Sequence, residues 1–112
     1  MEEYQCLNDE IIAQEAHKYT AYFSDCQVEK KASLFKVLGD LNRMKILEIL
    51  LHHDQLCVYE ISCLIDASIA TTSHHLITLR KNNLIRSQKQ GKHVLYSIAN
   101  DGVRSLLAAA NL

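Results

Sequence analysis

The chain has 112 residues, 48% of them hydrophobic, with a formal net charge of −1, no proline and only three glycines. That composition excludes a disordered chain and points to one small domain, near the lower end of what buries a good core alone, so pairing with a second copy is expected. The start, Met1-Glu2-Glu3-Tyr4-Gln5, is acidic and unlike a secretory signal, and no apolar run approaches the roughly 20 residues of a membrane span. Four irregularly spaced cysteines, Cys6, Cys26, Cys57 and Cys63, then suggest reduced thiols in a cytoplasmic protein and no disulfide scaffold.

Sparse turn residues favour a mainly helical chain. From about Asp9 to Tyr22, Ile11, Ile12, Ala16 and Tyr19 fall near helical spacing and predict an amphipathic helix. Ala32, Leu34, Phe35 and Leu38 predict a second over Lys31 to Leu38, broken by Gly39, with Asp40 placed to cap a third. The third carries Leu41, Met44, Ile46, Leu47, Ile49, Leu50 and Leu51, is expected to be largely buried, and ends at His52 and His53. After an Asp54-Gln55 turn, Cys57 to Ile65 reads as a helix with Val58, Ile61, Leu64 and Ile65 on its apolar stripe. Asp66-Ala67-Ser68 breaks the chain before another helix, with Ile69, Leu76 and Leu79 inward and Thr71, Thr72, Ser73, His74 and Arg80 outward. Leu84 to Lys89 and His93 to Ile98 alternate on either side of Gln90-Gly91-Lys92, which predicts a β-hairpin. A last helix from Asn100 carries Val103, Leu106, Leu107 and Ala110, read as a dimer contact.

Two short helices joined by a tight break and followed by a hairpin compose a winged helix-turn-helix. The expected fold class is therefore mainly α with a small β-hairpin, a homodimeric winged helix-turn-helix over residues 1–112. Its parts are an N-terminal arm and first helix (1–29), the helix-turn-helix (57–82), the β-wing (84–98) and a C-terminal dimerisation helix (100–112). Charge agrees with a DNA-binding face. From Ala67 to Asn100 there is no Asp or Glu, while Arg80, Lys81, Arg86, Lys89 and Lys92 all fall there. Candidate DNA contacts are Ala70, Thr71, Ser73, His74, Thr78 and Arg80 on the second helix, small or hydroxylic residues able to approach a groove closely. Lys89, Lys92 and His93 at the wing tip join them. No nucleophile elbow, phosphate loop or His-Glu zinc motif suggests an enzyme.

Four segments carry a resemblance: Leu38-Gly39-Asp40-Leu41-Asn42-Arg43, Gln55-Leu56-Cys57-Val58-Tyr59-Glu60-Ile61, Thr72-Ser73-His74-His75-Leu76 and Lys89-Gln90-Gly91-Lys92-His93-Val94-Leu95-Tyr96. Through them the chain resembles the ArsR/SmtB family of metal-responsive repressors, most closely its CadC-like and SmtB-like members. The resemblance implies a homodimer joined through the first and last helices, bound to an imperfect inverted repeat in operator DNA. It also implies release by a divalent or thiophilic metal ion (Cd, Zn or Pb), held by the helix before the recognition helix and by the N-terminal arm, usually the partner's. Cys57 matches the family's helix cysteine and Glu60 falls where SmtB-like members place an aspartate, whereas Tyr59 replaces the second cysteine of CadC-like members. In the arm, Cys6 has the appropriate separation, and Glu10 lies one turn on, where relatives put Cys or His. Metal ligands are thus expected at Cys57, Cys6, Glu60 and Glu10, a sulfur and carboxylate set suited to Zn or Cd. The family's other site, on the last helix, is absent: after Asp101 no His or Glu follows.

Blander roles compete. Cys26 and Cys63 read as small buried hydrophobes, and Glu60 also suits a first-turn cap. Cys63 lies about 600° around a helix from Cys57 and joins it only if Cys57 precedes the regular helix. His17, His52, His53 and His93 read as surface, cap or wing residues. Two alternatives keep the fold and change the signal: a thiol-redox or polysulfide bridge, or ligand-independent DNA binding.

Overall fold

The computed structural model describes residues 3–25 and 27–111. Met1, Glu2, Cys26 and Leu112 lie outside the described residues, and with them the start of the acidic N-terminus and the expectation of a buried Cys26. The chain divides into two compact units, Met1–Ser33 and Leu34–Leu112.

The first unit holds α1 (Asp9–Asp25) and the start of α2 (Val28–Leu38). Asn8 begins α1 by accepting the Ile11 N–H at 2.9 Å, which satisfies one of the orphan donors of the first turn. The helix outruns its predicted end at Tyr22 because nothing in Phe23-Ser24-Asp25 breaks it. None of its residues is buried. Tyr19, Tyr22 and Phe23 instead pack on one another, with ring centroids 5.6–6.2 Å apart.

In the second unit the order is α3 (Leu41–His52), β1 (Leu56–Cys57), α4 (Val58–Ile65), α5 (Ile69–Lys81), β2 (Ile85–Gln90), β3 (His93–Ile98) and α6 (Asp101–Ala109). As expected, Asp40 caps α3, its Oδ1 accepting the Arg43 N–H at 3.0 Å. Ser68 caps α5 and Asn100 caps α6 in the same manner, through the N–H groups of Thr71 and Val103. Ile46, Leu47, Leu50, Ile61, Leu76, Leu79 and Ile85 form the fully buried centre, so α3, α4, α5 and the root of β2 share one core.

Several predicted faces are corrected. Thr72, expected outward, is fully buried, because α5 turns Thr72, Leu76 and Leu79 to the core at i, i+4 and i+7. Ile69, expected inward, is 51% exposed at the first residue of that helix. On the short α4 the buried face runs through Ile61, Ser62 and Ile65, which leaves Leu64 at the flank and 54% exposed. Leu41 is likewise 71% exposed at the start of α3. Cys63, read as a small buried residue, is exposed beside Leu64. On α6, Val103 and Leu107 complete the core of their own unit, so these two are not an outward face.

The hairpin is a sheet of three strands, ordered β1-β3-β2 and antiparallel throughout. Gln90 belongs to β2, pairing with His93, and only Gly91 and Lys92 form the turn. Gly91 has φ +59 and Lys92 does not share it. Glycine at the first central position is what a type II′ turn requires, with a twist matching the strands. The added strand, β1, pairs Leu56 with Tyr96 and Cys57 with Leu95. It ties the start of the helix-turn-helix to the wing.

Candidate nucleic-acid interface and sensor site

The outer face of α5 brings together Ala70, Thr71 and His74, all exposed, with Ser73 and Thr78 half-buried beside them. Two of its hydroxyls already have partners. Thr71 Oγ1 accepts from the capping Ser68 Oγ at 2.9 Å, and Thr78 Oγ1 donates to the His74 carbonyl at 3.3 Å. Thr71 is thereby held at the tip of the helix, where N–H groups and the helix dipole favour an anion. Arg80 closes the other end, its Nη1 donating to Ser87 Oγ at 3.3 Å and so linking α5 to β2. Lys89, Lys92 and His93 are all exposed around the Gly91 turn. Ile77, 45% exposed on α5, escaped the sequence reading because an isoleucine at helical spacing is ordinarily assigned to the core.

His75, next to the exposed His74, turns inward. Its Nε2 lies 3.9 Å from Asp40 Oδ1, so α5 meets the cap of α3. The Asp40 carboxyl is held below its ordinary value, chiefly by the Arg43 N–H and then by the nearby His75 and Arg43 charges.

Cys57 stands at the junction of the wing and the first helix of the motif. It is half-buried, a residue of β1 and the N-cap of α4. Its N–H donates to Glu60 Oε1 at 3.0 Å, while its sulfur faces the Glu60 N–H, a capping box in which a weakly accepting thiol replaces the usual hydroxyl. These bonds hold the Glu60 carboxyl below its ordinary value, the Cys57 N–H first, with small contributions from the His53 and His93 charges. Cys57 does precede the regular helix. Cys63, one turn on from Tyr59, keeps the Tyr59 hydroxyl above its ordinary value through its thiol.

The donor chemistry fits a metal only in part. Cys57 and Glu60 supply one sulfur and one carboxylate on a single turn, two of the four positions a tetrahedral ion takes. Among the described residues no group of three or more His, Cys, Asp or Glu could hold an ion. Cys6, exposed ahead of α1, and Glu10, exposed in its first turn, belong to the other unit.

Residues 40–87 match the family described as bacterial regulatory protein, arsR family. The cadmium resistance transcriptional regulatory protein CadC of Listeria innocua is 49% identical over 76 residues, covering 68% of this chain and 64% of that protein. A CadC homolog from Staphylococcus aureus is 38% identical over 81 residues, covering 72% and 67%. The chain belongs to the ArsR family. It spans just under two thirds of the Listeria relative, 64% of its length. The fold agrees: the homodimeric winged helix-turn-helix DNA-binding domain of a possible ArsR-family regulator from Mycobacterium bovis superposes with a TM-score of 0.72 at 24% identity, covering 79% of this chain and 81% of that one. The winged helix-turn-helix read from the sequence is therefore the observed fold, in a family described as bacterial regulatory proteins. No helix among the described residues is long and apolar enough to cross a membrane.

Proposed function

We propose that this ArsR-family chain is a cytoplasmic, homodimeric transcriptional repressor, released from operator DNA by a thiophilic or divalent metal ion. α5 would read an imperfect inverted repeat in the major groove through Ala70, Thr71, Ser73, His74 and Thr78, with Arg80 at its end. Lys89, Lys92 and His93 on the wing would hold flanking phosphates. The inducer, Cd, Zn or Pb, would join the arm donors Cys6 and Glu10 of one protomer to Cys57 and Glu60 of the other.

One observation carries the sensing half of this reading. Cys57 is paired with Leu95 of the wing strand β3 and also caps α4. A pull on its sulfur therefore reaches the wing and the helix-turn-helix together. Glu60 is bonded to the Cys57 N–H, so engaging its carboxylate loosens or re-aims the same cap. Coupling energies between sites of this kind run to about 1–3 kcal/mol, a change of roughly 5–150-fold in affinity.

Fluorescence anisotropy on a duplex from the gene's own promoter, at fixed salt, tests this. Reduced protein is expected to bind tightly and to be released by Cd or Zn, while Cys57→Ser binds equally well and ignores the metal. Normal release of Cys57→Ser would remove Cys57 from the sensor. Wild-type binding that no metal alters would leave a thiol-redox signal or ligand-independent binding.

A further inference from the structure

We propose that the outer face of the wing sheet holds a second ligand site, for a small oxyanion, between Arg86 on β2 and Arg104 on α6. Ile85 and Ile98 are paired and buried. Strand alternation therefore turns the next pair, Arg86 and Ser97, away from the core. Arg86 Nε donates to Ser97 Oγ at 3.4 Å, which steadies the guanidinium on that face. Arg104 lines the same recess, as do Gln55 and Gln88, and its volume of about 590 Å³ is of ligand-binding size.

Neither guanidinium has a carboxylate within 4.0 Å among the described residues. Two guanidinium groups without a carboxylate partner, lining one recess from different elements, suit an oxyanion, which each can bind through two parallel charge-assisted hydrogen bonds. Asp54 also lines the recess and is paired with neither. Its presence favours a protonated oxyanion such as hydrogen phosphate, with an O–H to donate to that carboxylate.

DNA phosphate is a poor occupant. Ser87, the neighbour of Arg86, faces the recognition helix through its bond to Arg80, so Arg86 faces the opposite way. The Arg86–Ser97 pair also lies four residues from Gln90, about 13 Å from the wing tip. The row beside it is Gln88, Leu95 and Cys57, paired across the three strands. A ligand in the recess would thus lie against the strand with which Cys57 is paired.

The ¹⁵N-labelled full chain would be titrated with inorganic phosphate at constant ionic strength, with chloride as the comparison. Saturable shifts are expected at Arg86, Ser97 and Arg104, including the Arg86 Nε–H. Arg86→Gln and Arg104→Gln should each weaken the apparent affinity by about tenfold or more, the scale of one charge-assisted hydrogen bond. Arg86→Lys, which keeps the charge and loses the fork, should recover only part. Both arginines are exposed, so these variants should keep the wild-type amide spectrum elsewhere. Equal shifts with chloride, shifts confined to Lys89, Lys92 and α5, or affinity unchanged in both glutamine variants would each overturn the proposal.

Discussion

Glu60 meets two demands with one carboxylate. One oxygen holds the Cys57 N–H at 3.0 Å and so caps α4, while the proposed sensor needs the same group as an anionic ligand. Glu60→Gln separates them, since the amide still accepts the N–H but carries no charge. The variant is expected to keep its helicity and its DNA affinity while requiring more metal for release, read by circular dichroism and anisotropy. Release at wild-type metal concentration would make Glu60 a cap alone. Asp40 gives the pH dependence. Its carboxyl titrates below the ordinary 3.8 in the folded chain, so the unfolded chain binds more protons in that window. The cap's stabilisation is then fully present above about pH 3.8 and is lost as pH falls through the lower, folded value. Asp40→Asn caps nearly as well, within about 0.5 kcal/mol at neutral pH, but its urea midpoint should fall less steeply below pH 4. An unchanged acid limb would show that other carboxylates set it.

On α5, the proposed recognition helix, one hydroxyl is misplaced for its surroundings. Thr72 Oγ1 is buried without a hydrogen-bond partner, a state that costs about 1–3 kcal/mol. Thr72→Val keeps the shape and removes the orphan, so it should stabilise the fold by about 1 kcal/mol in urea denaturation and leave DNA affinity unaltered. A loss of DNA affinity would return Thr72 to the outer face that the sequence suggested. The misreading has a physical origin. Hydroxyl residues run together over Thr71-Thr72-Ser73, and polarity alone does not say which of three neighbours the helix turns inward. Long periodic stretches were legible: the Asp40 cap, the α3 core through Ile46, Leu47 and Leu50, and the Gly91 turn all follow from residue type and spacing. β1 was not, because two residues carry no alternation and their pairing depends on β3, some forty residues away. The same strand makes Cys57 a junction. Sequence marked it as a candidate ligand and gave no sign of its pairing with the wing.

Across the whole molecule, charge and exposed apolar surface fall on different elements. α1 buries nothing within its unit yet exposes Ile12, Tyr19, Tyr22 and Phe23, and most helical stability in proteins comes from packing such a face. The proposed homodimer would cover that face, and a dimer also supplies the two reading heads an inverted repeat needs. All thirteen acids lie outside residues 67–100, so the proposed DNA face on α5 and the wing carries no carboxylate to repel phosphate, despite a net charge of −1. Salt dependence tests whether the basic residues of that stretch act alike. Each phosphate contact contributes about 0.9 to the slope of log affinity against log salt. Lys92→Ala at the wing tip should therefore lower the slope by about 0.9 per protomer, roughly twice that for a dimer, and weaken binding alike on operator and unrelated DNA. Arg86→Ala should leave the slope unchanged, because alternation turns its side chain to the face opposite the Arg80–Ser87 bond. Equal losses from the two variants would mean that the duplex wraps both faces of the wing, and an unchanged slope for Lys92→Ala would mean that the wing tip does not touch the backbone.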